Sequence, residues 1–136
     1  MVTLVDRRIA VVLEAWTGRE LCWSTWRPGD VREVKAALTQ NHLHVCDPSL
    51  SLRTVSFEIR RTAAGCDLVR SSAERPCKDL LVSNGVSMLL HVDSKTASVR
   101  RLQGGGAGTV WETQVNAEWS RGGHISPNGR SAIFWT

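Results

Sequence analysis

Histidine and cysteine are the residues in this chain best suited to chemistry. His42-x-His44-x-Cys46 sets three metal-ligand types at alternate positions, and Cys66 and Cys77 follow at a distance. In an extended segment alternate side chains point the same way, so these three would share a face. Zinc takes four ligands in near-tetrahedral geometry, and the spacing fits no finger or ribbon pattern. No metal and no cofactor is therefore expected. Cysteine catalysis needs a thiolate activated by a nearby base, and no local motif supplies one. Ser120 and His124 are close in sequence but lack a nucleophile elbow and an orienting carboxylate. The run Gly104-Gly105-Gly106-Ala107-Gly108 lacks the Lys-Ser/Thr of a phosphate loop. No catalytic residue emerges, and the chain is expected not to be an enzyme.

Bulk properties agree with a folded, non-membrane protein. The 136 residues are 42% hydrophobic and 22% charged, which suits one domain or a small domain with an extension. The longest apolar run, Ile9 to Leu13, is strand length, far short of the roughly 20 residues of a membrane span. It is followed by no small-residue cleavage site, so no signal peptide is read. The cysteines Cys22, Cys46, Cys66 and Cys77 match no compact disulfide framework, which predicts reduced thiols and a cytoplasmic location. The net charge of +4 comes with the pairs Arg7-Arg8, Arg60-Arg61 and Arg100-Arg101. With Arg121 and Arg130 near Trp119 and Trp135, they permit nucleic-acid binding by base stacking, but no motif supports it. Six tryptophans in so small a protein exceed what one core needs, which leaves some for an interface.

The elements that must position these residues follow from periodicity. Residues 1–8 read as a leader. Ile9 to Trp16 and Leu21 to Trp26 read as two strands around Thr17-Gly18. Asp30 is a good N-cap with Glu33 three residues on, and Val31, Val34, Ala37 and Leu38 then fall at helical spacing. This predicts a helix from Asp30 to Gln40. Ser51 to Arg60 reads as a third strand, with Val55, Phe57 and Ile59 on one face. Arg61 to Asp79 reads as loop, and Leu80 to Val82 as a short apolar segment before the Ser83-Asn84-Gly85 turn. Val86 to Val92 reads as a fourth strand, and Ala97 to Leu102 pairs back on it after Asp93-Ser94-Lys95. Residues 103–108 read as a glycine linker. The extension 109–136 holds Trp111, Trp119 and Trp135, with a hairpin around Pro127-Asn128-Gly129.

This order resembles the ubiquitin-like β-grasp family over about residues 9–92. Thr17-Gly18, Leu21, Trp23, Pro28, Asp30 and the Val31, Val34-Lys35-Ala36, Leu38 pattern carry the resemblance, followed by Arg53 to Phe57 and Ser87 to Val92. It implies an α+β fold, a mixed sheet on one helix over 9–102, with a β-rich tryptophan-containing extension. It also implies Leu21 and Trp23 facing inward, and an exposed sheet face centred on Ser56. The serine and the internal Gly104-Gly105 fit poorly with the family's receptor binding and conjugation. A second resemblance is all-β. Val12 to Leu21 and Met88 to Leu102 are similar to hairpins of propeller blades.

The expected function is that of a protein-protein interaction module or complex subunit. Its partner is a protein rather than a membrane, and the residues expected to touch it are Trp16, His91, Trp111, Trp119 and Trp135. The alternatives are a nucleic-acid-binding accessory protein, a propeller-like scaffold fragment and a small Cys/Ser hydrolase.

Overall fold

The computed structural model describes residues 1–5, 9–26, 33–47, 54–71, 77–92, 95–103, 106–115 and 122–135. Among these residues every regular element is a strand. The first sheet is the antiparallel meander β1 (Val2–Val5), β2 (Ile9–Leu13), β3 (Glu20–Thr25). The second holds β4 (Lys35–Leu38), β5 (His42–Cys46), β6 (Val55–Arg61) and β7 (Cys66–Arg70). The third holds β8 (Asp79–Ser83), β9 (Val86–Val92), β10 (Thr96–Gln103) and β11 (Gly106–Gln114). A hairpin, β12 (Gly122–Ile125) and β13 (Ala132–Trp135), forms the fourth.

The sheets stack face to face in chain order. Ala10, Val12 and Cys22 of the first sheet pack with Leu43, Val45, Val55, Phe57 and Ile59 of the second. The opposite face of the second sheet gives Ala37 and Cys46 to a core shared with Leu80, Leu89 and Leu102 of the third. The far face of the third sheet, with Met88, Leu90, Val92, Ala97 and Val99, is covered by Ile125 and Ala132 of the hairpin. Both faces of the two middle sheets are therefore apolar or buried, which explains the near-continuous burial along β5 and β9. Consecutive meanders stacked in this way have the arrangement of propeller blades.

The β-grasp expectation is overturned, because that fold needs a packed helix and the segment that should supply it is a strand. Asp30 to Arg32 lie outside the described residues, but Lys35–Leu38 pairs with β5 from Lys35↔Cys46 to Leu38↔Leu43. A helix would set Ala37 and Leu38 on one stripe. In the structure they serve opposite cores, Leu38 packing against the first and Ala37 belonging to the middle one. Helix propensity differs by only tenths of a kcal/mol per residue among such side chains, so edge pairing and two-sided burial override it. The turn between β4 and β5 is fixed by Thr39, whose backbone N–H and side chain both bond to His42.

Other expectations divide along the same line. The β2–β3 hairpin forms, with Gly18 at φ +70°. Its facing is only partly as expected: Leu21 packs against the first core, but Cys22 and Trp26 are the buried residues and Trp23 is 57% exposed. Val55, Phe57 and Ile59 are buried as expected, but Ser56 is 1% exposed because the third sheet covers that side too. The segment read as loop contains β7. Asn84 and Gly85, at φ 51° and +74°, make the tight β8–β9 turn, where two positive φ values match strand twist. Gln103 pairs with Gly106, so Gly106 to Gly108 belong to β11 rather than to a linker, and Gly104 and Gly105 lie outside the described residues. The extension belongs to the body of the protein through β11 and Ile125.

The cysteines also differ from expectation, for all four are paired. Cys22–Cys66 joins the first sheet to the second, with Cα atoms 5.3 Å apart. Cys46–Cys77 joins the second to the start of the third, at 6.6 Å. Partners 44 and 31 residues apart cannot be recognised from local spacing. Each such closure restricts the unfolded chain by roughly 4 kcal/mol in the chain-entropy view. Peptide mapping without reductant is expected to yield Cys22–Cys66 and Cys46–Cys77 and no other linkage. Replacing Cys46 and Cys77 together by serine is expected to cost about 2–4 kcal/mol in urea denaturation.

Candidate functional site

Of the five residues expected to bind a partner, the four that are described do not form one site. Trp16 stands on the β2–β3 turn and is 97% exposed. Trp111 is partly buried against the third core and donates its Nε1–H to the Gly129 carbonyl at 3.3 Å, so its role is to hold the last turn down. Trp135 is 46% exposed, with its ring 5.4 Å from that of His124. His91 pairs with Ser98 across β9 and β10, on the face turned toward the second sheet. Trp119 lies outside the described residues. Trp23, exposed on the outer face of the first sheet, was not expected.

Two polar features are more organised. The first is a buried carboxylate at the junction of three sheets. Asp79, the first residue of β8, accepts the N–H of Leu80 at 2.9 Å and that of Ile125 in β12 at 2.8 Å. Lys35 of β4 lies 3.7 Å from Oδ1, and His124 Nδ1 lies 3.7 Å from Oδ2. A carboxylate accepts several donors without cost to its charge, so one side chain ties the leading strands of the second, third and fourth sheets together. The arrangement holds a negative charge among donors but presents no nucleophile, and its chemistry is structural.

The second feature is a polar layer within the middle core. His44 is 1% exposed, and its Nδ1 is 2.7 Å from Ser56 Oγ across the β5–β6 pair. His42 stacks on it with ring centroids 6.1 Å apart. Facing them, the register of β9 and β10 puts Ser87, Ser98 and Arg100 on the side of Leu89 and Leu102. Among the described residues, four buried side-chain atoms have no hydrogen-bond partner: His44 Nε2, Ser87 Oγ, Ser98 Oγ and Arg100 Nε. All four belong to this layer. Unpaired buried polar atoms cost about 1–3 kcal/mol each, so their grouping marks a place able to hold water or a polar ligand. The layer opens at one end into a cleft of about 360 Å³ between the β4–β5 and β8–β9 turns.

The expected His42, His44, Cys46 face does form, but Cys46 is committed to Cys77. Among the described residues no group of three or more potential ligands can hold a metal ion. Likewise, no helix among them is long and apolar enough to cross a membrane. No protein-family model matches the chain, and no curated protein matches it. The sequence held only faint signs of either polar feature. Asp79 ends a segment that reads as loop, and Arg100 reads as half of a surface Arg pair, yet its side chain is only 14% exposed and reaches Glu112 at 3.8 Å.

Two outcomes follow. Asp79→Ala leaves the Leu80 and Ile125 N–H groups unpaired and is expected to cost about 3 kcal/mol by urea denaturation. Lys35→Met, removing a partly exposed partner, is expected to cost less than about 1 kcal/mol. The second outcome concerns His44. Burial, and then the like charge of His42, push its pKa down from 6.5 to about 4. The unfolded chain therefore takes up this proton first. The contribution to stability is complete above pH 6.5 and is lost as pH falls toward 4, by about 3 kcal/mol in all. Stability measured across this window should be flatter in His44→Asn than in the parent protein.

Proposed function

We propose that this chain is a non-enzymatic binding scaffold that docks a partner protein on the outer faces of its first and last sheets. The observation that carries this reading is a contrast. Every face between successive sheets is covered by another antiparallel sheet, whereas both outer faces leave large apolar side chains in solvent. On the first sheet Trp23 pairs with Val11, and with Ile9 and Leu13 it forms an apolar face. On the last hairpin Ile133 is 66% and Trp135 46% exposed. A shallow cavity of about 220 Å³ beside them is lined by His124, Ile125, Ala132 and Ile133. Scattered apolar residues on a surface need no explanation, but contiguous apolar faces mark interaction sites. The matching occupant is an apolar sheet face of the partner, since that is what covers every like face inside this protein.

Base stacking is the less favoured use of the tryptophans. Of the arginines that would steer a phosphate backbone, Arg19, close to Trp16 in the chain, already faces Glu14 at 3.8 Å, and Arg60 of the Arg60-Arg61 pair faces Glu58 at 3.3 Å. The cytoplasmic expectation rested on free thiols. Two disulfides between sheets favour an oxidising compartment.

A photo-crosslinking side chain at position 23 or 135 is expected to capture protein through a β-strand segment. The same group on the exposed β8–β9 turn, at Asn84, should capture none. RNA adducts at 23 and 135, or equal capture at all three positions, would overturn the reading.

A further inference from the structure

We propose that the cleft between the β4–β5 and β8–β9 turns is a binding site for an uncharged polyhydroxylated ligand, a neutral sugar. The inference is independent of the docking faces, which lie on other sheets. The cleft, at about 360 Å³, falls within the size of small-molecule sites. Its wall from the second sheet carries Gln40, Asn41 and His42, and its wall from the third carries Ser87 with the apolar Val86 and Leu102. Among the described residues that line it, none is Asp, Glu, Lys or Arg. Arg61 borders an adjoining hollow beyond Gln40 and is itself exposed.

Ser87 supplies the observation that a mere surface depression would lack. Its side chain is fully buried, it lines the cleft, and its hydroxyl has no partner. A buried hydroxyl left unbonded is unfavourable, and a ligand group placed in the cleft would satisfy it. Behind it in the same layer lies His44, with Nε2 likewise unpartnered. The chemistry selects the ligand. Amide side chains and hydroxyls each offer donors and acceptors at once, which matches sugar hydroxyls. Val86, partly exposed, offers an apolar surface to the C–H face of a pyranose ring. An anionic ligand would find no Lys or Arg among the described lining residues, Arg100 deeper in the layer already facing Glu112 at 3.8 Å, and a wholly apolar ligand would leave Ser87 unpaired. Gly85, at φ +74° and with no atom within 4 Å of where a Cβ would stand, leaves the entrance open.

The test is saturation-transfer NMR on the full chain with a panel of neutral mono- and disaccharides and the phosphate esters of the same sugars. At least one neutral sugar is expected to bind with a Kd near about 1 mM. Ser87→Ala and Asn41→Ala should each weaken it roughly five-fold, the loss of one hydrogen bond. Asn41 is exposed, so its variant keeps the test valid if Ser87→Ala does not fold. No neutral sugar bound at about 20 mM would overturn the proposal. So would binding confined to the phosphate esters, or binding that Asn41→Ala leaves unchanged.

Discussion

The buried carboxylate of Asp79 is the constraint on which the stacking of sheets depends. Apolar faces alone would let neighbouring sheets slide, because hydrophobic burial is roughly proportional to area and indifferent to direction. Hydrogen bonds are directional. Asp79 accepts one N–H from its own strand and one from β12, with Lys35 of β4 alongside. It thereby sets the relative position of three leading strands, and the strands that follow in each meander inherit that position through their ladders. The three cores then close around a registration already defined.

The middle core shows a different balance. The cores on either side of it are apolar, with Phe57, Leu43 and Val45 in one and Leu90, Val92 and Val99 in the other. Between them, leucines and a disulfide share space with His44, Ser56, Ser87, Ser98 and Arg100. Such a layer is less stabilising than a fully apolar one, since several of its polar atoms are desolvated without a partner. Disulfides on both sides of the second sheet offset that loss. Cost concentrated in one layer, next to an open cleft, is the pattern expected of a site kept for binding.

Much of the local structure was legible. The Thr17-Gly18, Ser83-Asn84-Gly85 and Pro127-Asn128-Gly129 turns, the strand Val86–Val92 and the pairing of β10 on β9 follow from turn chemistry and period-two patterning. What could not be read was which local preference would win. The Val31 to Leu38 spacing satisfies a helix template, but Ala37 and Leu38 are apolar because each faces a separate core. The β-grasp resemblance implies Trp23 inside, whereas alternation alone allows either face and the buried residue is Cys22. The cysteine pairs were invisible because each joins residues on different sheets. Of the candidate site, His42 is legible in the sequence only as a metal-type ligand beside His44 and Cys46, a role that the Cys46–Cys77 disulfide removes. Ser87 and Asp79 carried no signal, since an orphaned hydroxyl or a shared carboxylate exists only after the sheets have met.

The placement of the two disulfides gives the molecule a polarity of strength. Cys22–Cys66 and Cys46–Cys77 make the first three sheets one covalent block, and all four cysteines are used in doing so. Among the described residues the fourth sheet is held by Ile125, Ala132, the Trp111 contact, Met88 against Gly129 and Asp79, and by no disulfide. Local opening begins where the fewest constraints must be broken. The β12–β13 hairpin is thus the segment able to swing out while the block stays intact, like a hinged end-plate on a riveted stack.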